Sequence, residues 1–223
     1  MGVCNNTPIE ECDDVMPVIR GREQATEVED SLKILQFERM EGTIRNLLEQ
    51  LGEDPEREGL QETPRRVAAM WKDLTQGLHR DPADQISVEF HEHYTGIVLV
   101  RDIAFFSLCE HHLLPFYGTA HVAYHPDAGR LTGLSKIARV VDVASRRPQV
   151  QERLTVEVAD ALERRLQPRG VLVWMEAEHL CMAMRGVEKP GAKTVTVEAS
   201  GTLAADQAAY HTLMMQLAAR GGA

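Results

Sequence analysis

The stretch Ser107-Leu108-Cys109-Glu110-His111-His112-Leu113-Leu114-Pro115 crowds one thiol and two imidazoles into four positions. Thiolate and imidazole together are zinc-type ligands. A catalytic zinc keeps one of its four positions for water, so the remaining protein ligands must come from elsewhere in the chain. His179-Leu180-Cys181 is the best second source, because alternation along a strand would aim both side chains at one face. Cys109, one of His111 or His112, and Cys181 then give three ligands and an open position, with imidazoles left over for proton transfer. A structural zinc site normally closes with four Cys or His ligands, often as Cys-x-x-Cys knuckles, and this chain has no such knuckle. Hydrolytic chemistry fits better. Spacing leaves the histidine open: Cys109 and His111 share a face if the segment is extended, whereas Cys109 and His112 converge if it turns before Pro115.

A second constellation suits an anion. In Gly133-Leu134-Ser135-Lys136-Ile137-Ala138-Arg139, Ser135 is placed to cap a helix whose N-terminal N–H groups and dipole favour negative charge. Lys136 and Arg139, three residues apart, add full charges on one face. Between residues 130 and 153 there are six basic residues and two acidic ones, inside a chain of net charge -10. Such a local reversal of sign focuses anionic ligands. Arg185, four residues past Cys181, adds a guanidinium that can fork to two phosphate oxygens. Metal at one end and a phosphate cradle at the other imply a phosphorylated small molecule with its reactive carbon at the zinc. Glu152, at the start of another helix, could accept two parallel N–H bonds from a guanine edge. No Walker-type glycine loop is present, which excludes a P-loop nucleotide hydrolase.

These residues need elements to hold them. Ile44, Leu47, Leu48 and Leu51 recur at helical spacing before Gly52, and Thr63-Pro64 opens a helix carrying Val67, Met70, Trp71, Leu74 and Leu78 as its apolar stripe. Arg65 and Arg66 stand at the positive end of that helix. From Ile97 to Phe106 and Phe116 to Tyr124 the composition turns to strand formers. Two helices follow, with Ile137, Val140, Val141 and Ala144 on one face and Leu154, Val158, Ala161 and Leu162 on the other's. Strands are expected again over Val171 to Met184 and Thr194 to Leu203, then a helix with Tyr210, Leu213, Met214 and Leu217. This order predicts an α+β fold with a four-stranded antiparallel sheet and two helices between its strand pairs. The division expected is an acidic tail at 1–28, a helical region at 29–93 and a catalytic domain at 94–223. Free edges on a four-stranded sheet invite a second copy.

At 223 residues, 43% hydrophobic and 26% charged, the composition is that of a soluble globular protein. A net charge of -10 argues against general binding to nucleic acid, no apolar run could span a bilayer, and the acidic N-terminus is no secretory signal. A cytoplasmic, reducing location is expected, in which Cys4 and Cys12 of the tail have no assigned role.

Ser-Leu-Cys-Glu-His-His, Gly-Leu-Ser-Lys-x-x-Arg, Arg-Pro-Gln-Val-Gln-Glu-Arg-Leu and His-x-Cys-Met-x-Met-Arg-Gly occur in this order and spacing, and together they resemble GTP cyclohydrolase I over residues 30 to 203. The resemblance implies a T-fold (tunnelling fold) whose subunits join their sheets into a barrel, two rings stacking as a homodecamer. It implies one Zn2+ per subunit, held by Cys109, His112 and Cys181. Zinc-bound water would attack C8 of GTP, the imidazole ring would open, and formate would leave before the ribose rearranges to 7,8-dihydroneopterin triphosphate. His111 and His179 would move protons, with Ser135 as donor to the ribose ring oxygen and Gln151 beside the histidines. Glu152 would hold the guanine. Lys136, Arg139 and Arg185 would hold the triphosphate, joined by Arg66 from a neighbouring subunit. The chain departs from many relatives at Thr119, where they carry Lys, and at Ala69, where some carry a basic residue.

Overall fold

The computed structural model describes residues 34–218. The tail expected over 1–28, with Cys4 and Cys12, lies outside the described residues. Contacts divide the chain into one compact unit ending at Met70 and a second beginning at Trp71.

In the first unit, helix α1 covers 34–50 and ends as expected at Gly52, whose φ of 86° suits a residue without a side chain. Helix α2 (Thr63–Leu74) starts one residue earlier than the cap reading of Thr63 required, so Thr63 is its first helical residue. Arg65 and Arg66 lie exposed in that first turn, which holds no acid. Two residues of the expected apolar stripe, Met70 and Leu78, stay 45% and 47% exposed instead of joining a core.

The second unit is built on a sheet of order β5-β2-β3-β6-β7. Its members are β2 (Val98–Cys109), β3 (Pro115–His125), β5 (Pro148–Gln149), β6 (Gly170–His179) and β7 (Lys193–Ala199). A separate two-stranded sheet pairs β1 (Glu89–His91) with β4 (Arg130–Thr132). The four long strands are antiparallel to their neighbours, but β5 adds a fifth strand, parallel to β2. Two residues are too few to show a period, so the sequence pattern did not contain it. Two strands also stop short of expectation. β6 ends at His179, where a single helical turn, α5 (Leu180–Ala183), takes over. β7 ends at Ala199, because Gly201 (φ 54°) turns the chain against the Arg169 carbonyl, leaving no room for a Cβ, and opens α6 (Gly201–Ala205).

Helices α3 (Leu134–Ser145) and α4 (Gln151–Leu166) cover one face of the sheet. Their expected core residues, Ile137, Val140, Val141, Ala144, Leu154, Val158, Ala161 and Leu162, are fully buried with Phe105, Phe116, Val122, Val173 and Met175 of the strands. On the other face, Leu172, Trp174 and Ala123 lie under Leu203 of α6 and Leu213 and Leu217 of α7 (Gln207–Ala218). Strand β2 does not keep one register. It slips between Val100 and Ile103, with Asp102 at φ 56°, which is a β-bulge. Val98 and Val100 before the bulge and Ile103, Phe105 and Cys109 after it therefore all pack against the helix-side core, although simple alternation would have split them.

The segment after α2 is tied to this unit by two arginines. Arg147 donates to the carbonyls of Gly77 (2.7 Å) and Arg80 (2.8 Å). Arg164 of α4 forks onto both oxygens of Asp81, each at 2.8 Å. The Arg164 hydrogen bonds and the Ala83 N–H hold the Asp81 carboxyl down at about 2. Its contribution to stability is therefore present above the ordinary value of 3.8 and is lost as the pH falls through about 2. Both partners are roughly half exposed, so the pair is worth less than ~1 kcal/mol. Thermal melts of Asp81→Asn should lie slightly below the parent at pH 6 and converge with it towards pH 2; a constant gap over that range would rule out an ionic origin.

Candidate metal and proton-transfer site

Because β2 and β6 are both antiparallel to β3, they run in the same direction and end at the same edge of the sheet. Ser107, Phe116 and His179 lie side by side across the three strands. The chemistry-bearing residues follow directly at the two strand ends. After Cys109 the chain turns: His112 N and Leu113 N both donate to the Cys109 carbonyl, at 3.2 and 2.7 Å, and Cys109 N donates to Leu114 O at 2.8 Å. Leu113 takes a φ of 55° to close the loop. This is the turned alternative, and it folds His112 back over Cys109. On the other side, α5 swings Cys181 inward by a helical turn, where a continued strand had been expected.

Cys109, His112 and Cys181 place one ligand atom each within 4.8 Å of one another. His111 is close to Cys109 alone, with Nδ1 3.9 Å from its Sγ, against 3.8 Å for His112. Burial and the neighbouring Cys109 thiol push the Cys181 thiol above its ordinary range; the Arg185 charge opposes this. Two thiolates at such a separation repel each other, and a cation between them would relieve that repulsion. Two sulfurs and one imidazole are the donor set a zinc ion with one open position would take.

The turn is fastened from outside. Glu110 N donates to Gln149 O at 2.9 Å, and the Glu110 carboxylate accepts from Arg153 on α4. Arg153 also donates from Nε to Gln149 Oε1 at 2.7 Å, and Gln149 is wholly buried. The Arg153 guanidinium holds the Glu110 carboxyl below its usual range. Arg153 thus serves Glu110, not its neighbour Glu152.

His179 stacks flat on Phe116, the ring centres 4.5 Å apart and the planes 1° from parallel. Its Nε2 lies 2.8 Å from Oε1 of Gln151, the first residue of α4 and almost fully buried. Burial lowers the His179 pKa, with the charge of Glu152 pulling the other way. Glu152 is exposed and lines a cleft of about 190 Å³ with Thr155, Val156, Thr196, Val197 and Glu198.

The expected anion cradle is placed elsewhere. Gly133 is the cap of α3 and no side chain caps it, so Ser135 is an exposed second-position residue and not the cap. Lys136 and Arg139 follow on the same helix. The end of α3 that approaches Cys109 is the other one: Ser107 donates to Arg147 O, and Pro148 and Gln149 pair with Leu108 and Cys109. Ser135 is ten residues from Ser145 along the helix, or ~15 Å. The chain just before α3 is held by Thr132 N donating to the Tyr124 hydroxyl, at the far end of β3. A single chain therefore brings Cys109, His111, His112, Gln151, Glu152, His179, Cys181 and Arg185 together, and leaves Ser135 and Lys136 at the opposite end of α3. Arg66 belongs to the first compact unit.

Residues 40–218 match the family model described as GTP cyclohydrolase I. The chain belongs to the GTP cyclohydrolase I family. A protein of Streptococcus suis named GTP cyclohydrolase 1 is 62% identical over 164 residues, which are 74% of this chain and 88% of that protein. Proteins of the same name from Streptococcus gordonii and Streptococcus thermophilus are each 58% identical, over 165 and 170 residues, covering 88% and 91% of their own length.

Several residues of this GTP cyclohydrolase I family member were not evident from sequence. Phe116, the platform under His179, reads as an ordinary strand residue, and only the register of β3 against β6 reveals it. Thr155 and Thr196, which touch Gln151, lie on elements far apart in sequence and carry no motif. The Arg153–Glu110 clamp had a partial signal in the acid wedged between Cys109 and His111.

Because only His112 completes a three-donor group, metal analysis of purified variants should separate the two imidazoles. His112→Ala and Cys181→Ala are expected to lose most bound zinc, and His111→Ala to retain it. Zinc loss in His111→Ala with retention in His112→Ala would reverse the assignment.

Proposed function

We propose that this chain opens the imidazole ring of GTP by hydrolysis, releases C8 as formate and recloses the product as 7,8-dihydroneopterin triphosphate. The observation that carries this reading is the Cys109–His112–Cys181 group beside a buried His179, in a chain of this family. Zinc bound by the three residues would supply a water acidified towards neutrality, close to His179.

The chain's own groups divide the remaining work. Glu152 accepts N–H bonds from the guanine edge, fixing the base in the cleft between α4 and β7. His179, kept neutral by burial, moves a proton at N7 of the base, and His111 handles a second proton at the ring being opened. Gln151 orients His179. Ser135 gives a proton to the ribose ring oxygen, and Lys136, Arg139, Arg185 and Arg66 hold the triphosphate. One water is consumed overall, since the second used in releasing formate is returned when the new ring closes.

The position of the cradle on α3 supports a site shared between copies. Ser135 and Lys136 sit ~15 Å along α3 from the end that meets their own Cys109, so the phosphate tail bound at one metal group would meet α3 of another subunit. Sheet edges are available for such assembly: β2 is paired by β5 only at Leu108 and Cys109, and β7 is an edge strand. The T-fold homodecamer of two stacked rings, in the cytoplasm and with one zinc per subunit, is the assembly this reading requires. Among the described residues no helix is long and apolar enough to cross a membrane.

Incubation of the zinc-loaded protein with GTP should release formate and, after oxidation, give a fluorescent pterin; zinc-loaded protein inert towards GTP would overturn the reading. Sharing between copies has its own test. Lys136→Ala and His179→Ala should each be nearly inactive alone, yet co-expression should recover about a quarter of parent turnover, since mixed assemblies re-form complete sites. No recovery in mixed assemblies would place both residues in one chain's site.

A further inference from the structure

The Gln151 carboxamide has one orientation available to it. Its nitrogen lies 3.2 Å from Met175 O, 3.0 Å from Thr194 O and 3.1 Å from Thr196 Oγ1. Backbone carbonyls only accept, so the amide nitrogen must face them and its oxygen must face His179. An oxygen 2.8 Å from His179 Nε2 requires that nitrogen to carry the hydrogen. The neutral ring then has a bare Nδ1, free to take a proton.

Two hydroxyls complete the lock. Thr155 Oγ1 donates to the backbone carbonyl of Gln151 at 2.8 Å, which uses its only hydrogen. Thr196 Oγ1 lies 2.6 Å from Thr155 Oγ1 and must therefore be the donor between them. With its hydrogen committed, Thr196 turns a lone pair to the Gln151 nitrogen. The hydrogen bonds run from Gln151 through Thr196 and Thr155 back to Gln151, all within a buried or half-buried region.

We propose that Thr196 is a positioning residue that holds the Gln151 carboxamide oxygen against His179 Nε2, and so keeps the ring hydrogen there and Nδ1 bare for exchange with the substrate. This rests on the reading of His179 as the proton carrier. Without the Thr196 hydroxyl, the Gln151 amide loses an acceptor and Thr155 loses a donor; the two carbonyls still decide which end of the amide faces His179, but its oxygen is no longer held firmly against Nε2.

In the zinc-loaded protein, 15N-histidine spectra of sedimented samples, assigned by difference against His179→Asn, should show a protonated Nε2 and a bare Nδ1 for His179. Thr196→Val should lower kcat ~10-fold or more while KM for GTP stays within about twofold and zinc content is unchanged. Thr196→Ser, which keeps the hydroxyl, should restore kcat. A parent spectrum with the proton on Nδ1 overturns the proposal, as does unimpaired kcat in Thr196→Val or failure of Thr196→Ser to restore it. If Thr196→Val does not fold, Thr196→Ala, which also lacks the hydroxyl, is read in its place by the same outcomes. A parent without formate release from GTP would instead defeat the functional reading, and the spectrum would still report the tautomer.

Discussion

Two thiols and an imidazole held within 4.8 Å of one another are the constraint around which this end of the molecule is arranged. Left to itself the arrangement is unfavourable for charge, because thiolates so close repel each other and Cys181 is partly desolvated. The fold meets that cost by rigidity. Cys109 ends a twelve-residue strand at the one place where β5 pairs with it, and the turn that follows is tied down by its own backbone bonds and by Arg153. Cys181 is carried by a one-turn helix that leaves the sheet beside it. Metal binding to such a group needs little rearrangement of the chain, and the ordering entropy is met when the protein folds.

The neighbouring histidine is held by different means. His179 has an aromatic platform beneath it and a single oriented oxygen at its edge. Neither contact is strong alone. Together they fix the plane of the ring and the nitrogen that carries hydrogen, which are the two properties a proton carrier must have before substrate arrives. The carboxamide that does this is the first residue of α4, so the helix start positions Gln151 towards His179 and Glu152 towards the cleft in consecutive residues.

Much of this was legible from residue types and spacing. The apolar faces of α3 and α4 were plain, because strict helical periodicity leaves few alternatives and every residue so identified is buried. The pairing of the Cys109 and Cys181 segments was legible too, since soft ligands are scarce in the chain. What sequence could not supply was geometry over short ranges. Whether the chain turned after Cys109 or stayed extended decided between His111 and His112, and that depended on a loop closed by Leu113 in a left-handed conformation. Ser135 looked like a helix cap, yet the helix begins at Leu134 and the capping position falls to Gly133. The network around Gln151 was invisible, because Thr155 and Thr196 meet only when α4 lies across β7.

The bulge in β2 has a consequence for how this sequence can change. Six residues separate Asp102 from Cys109, and side chains alternate along that stretch, so the thiol faces inward only while the count keeps its parity. Losing or gaining one residue between the two would rotate Cys109 to the opposite surface, away from its two partners. Changes in pairs, or a compensating shift at the bulge itself, are the length variations that keep Cys109 beside His112 and Cys181. Length in this strand is thus quantised.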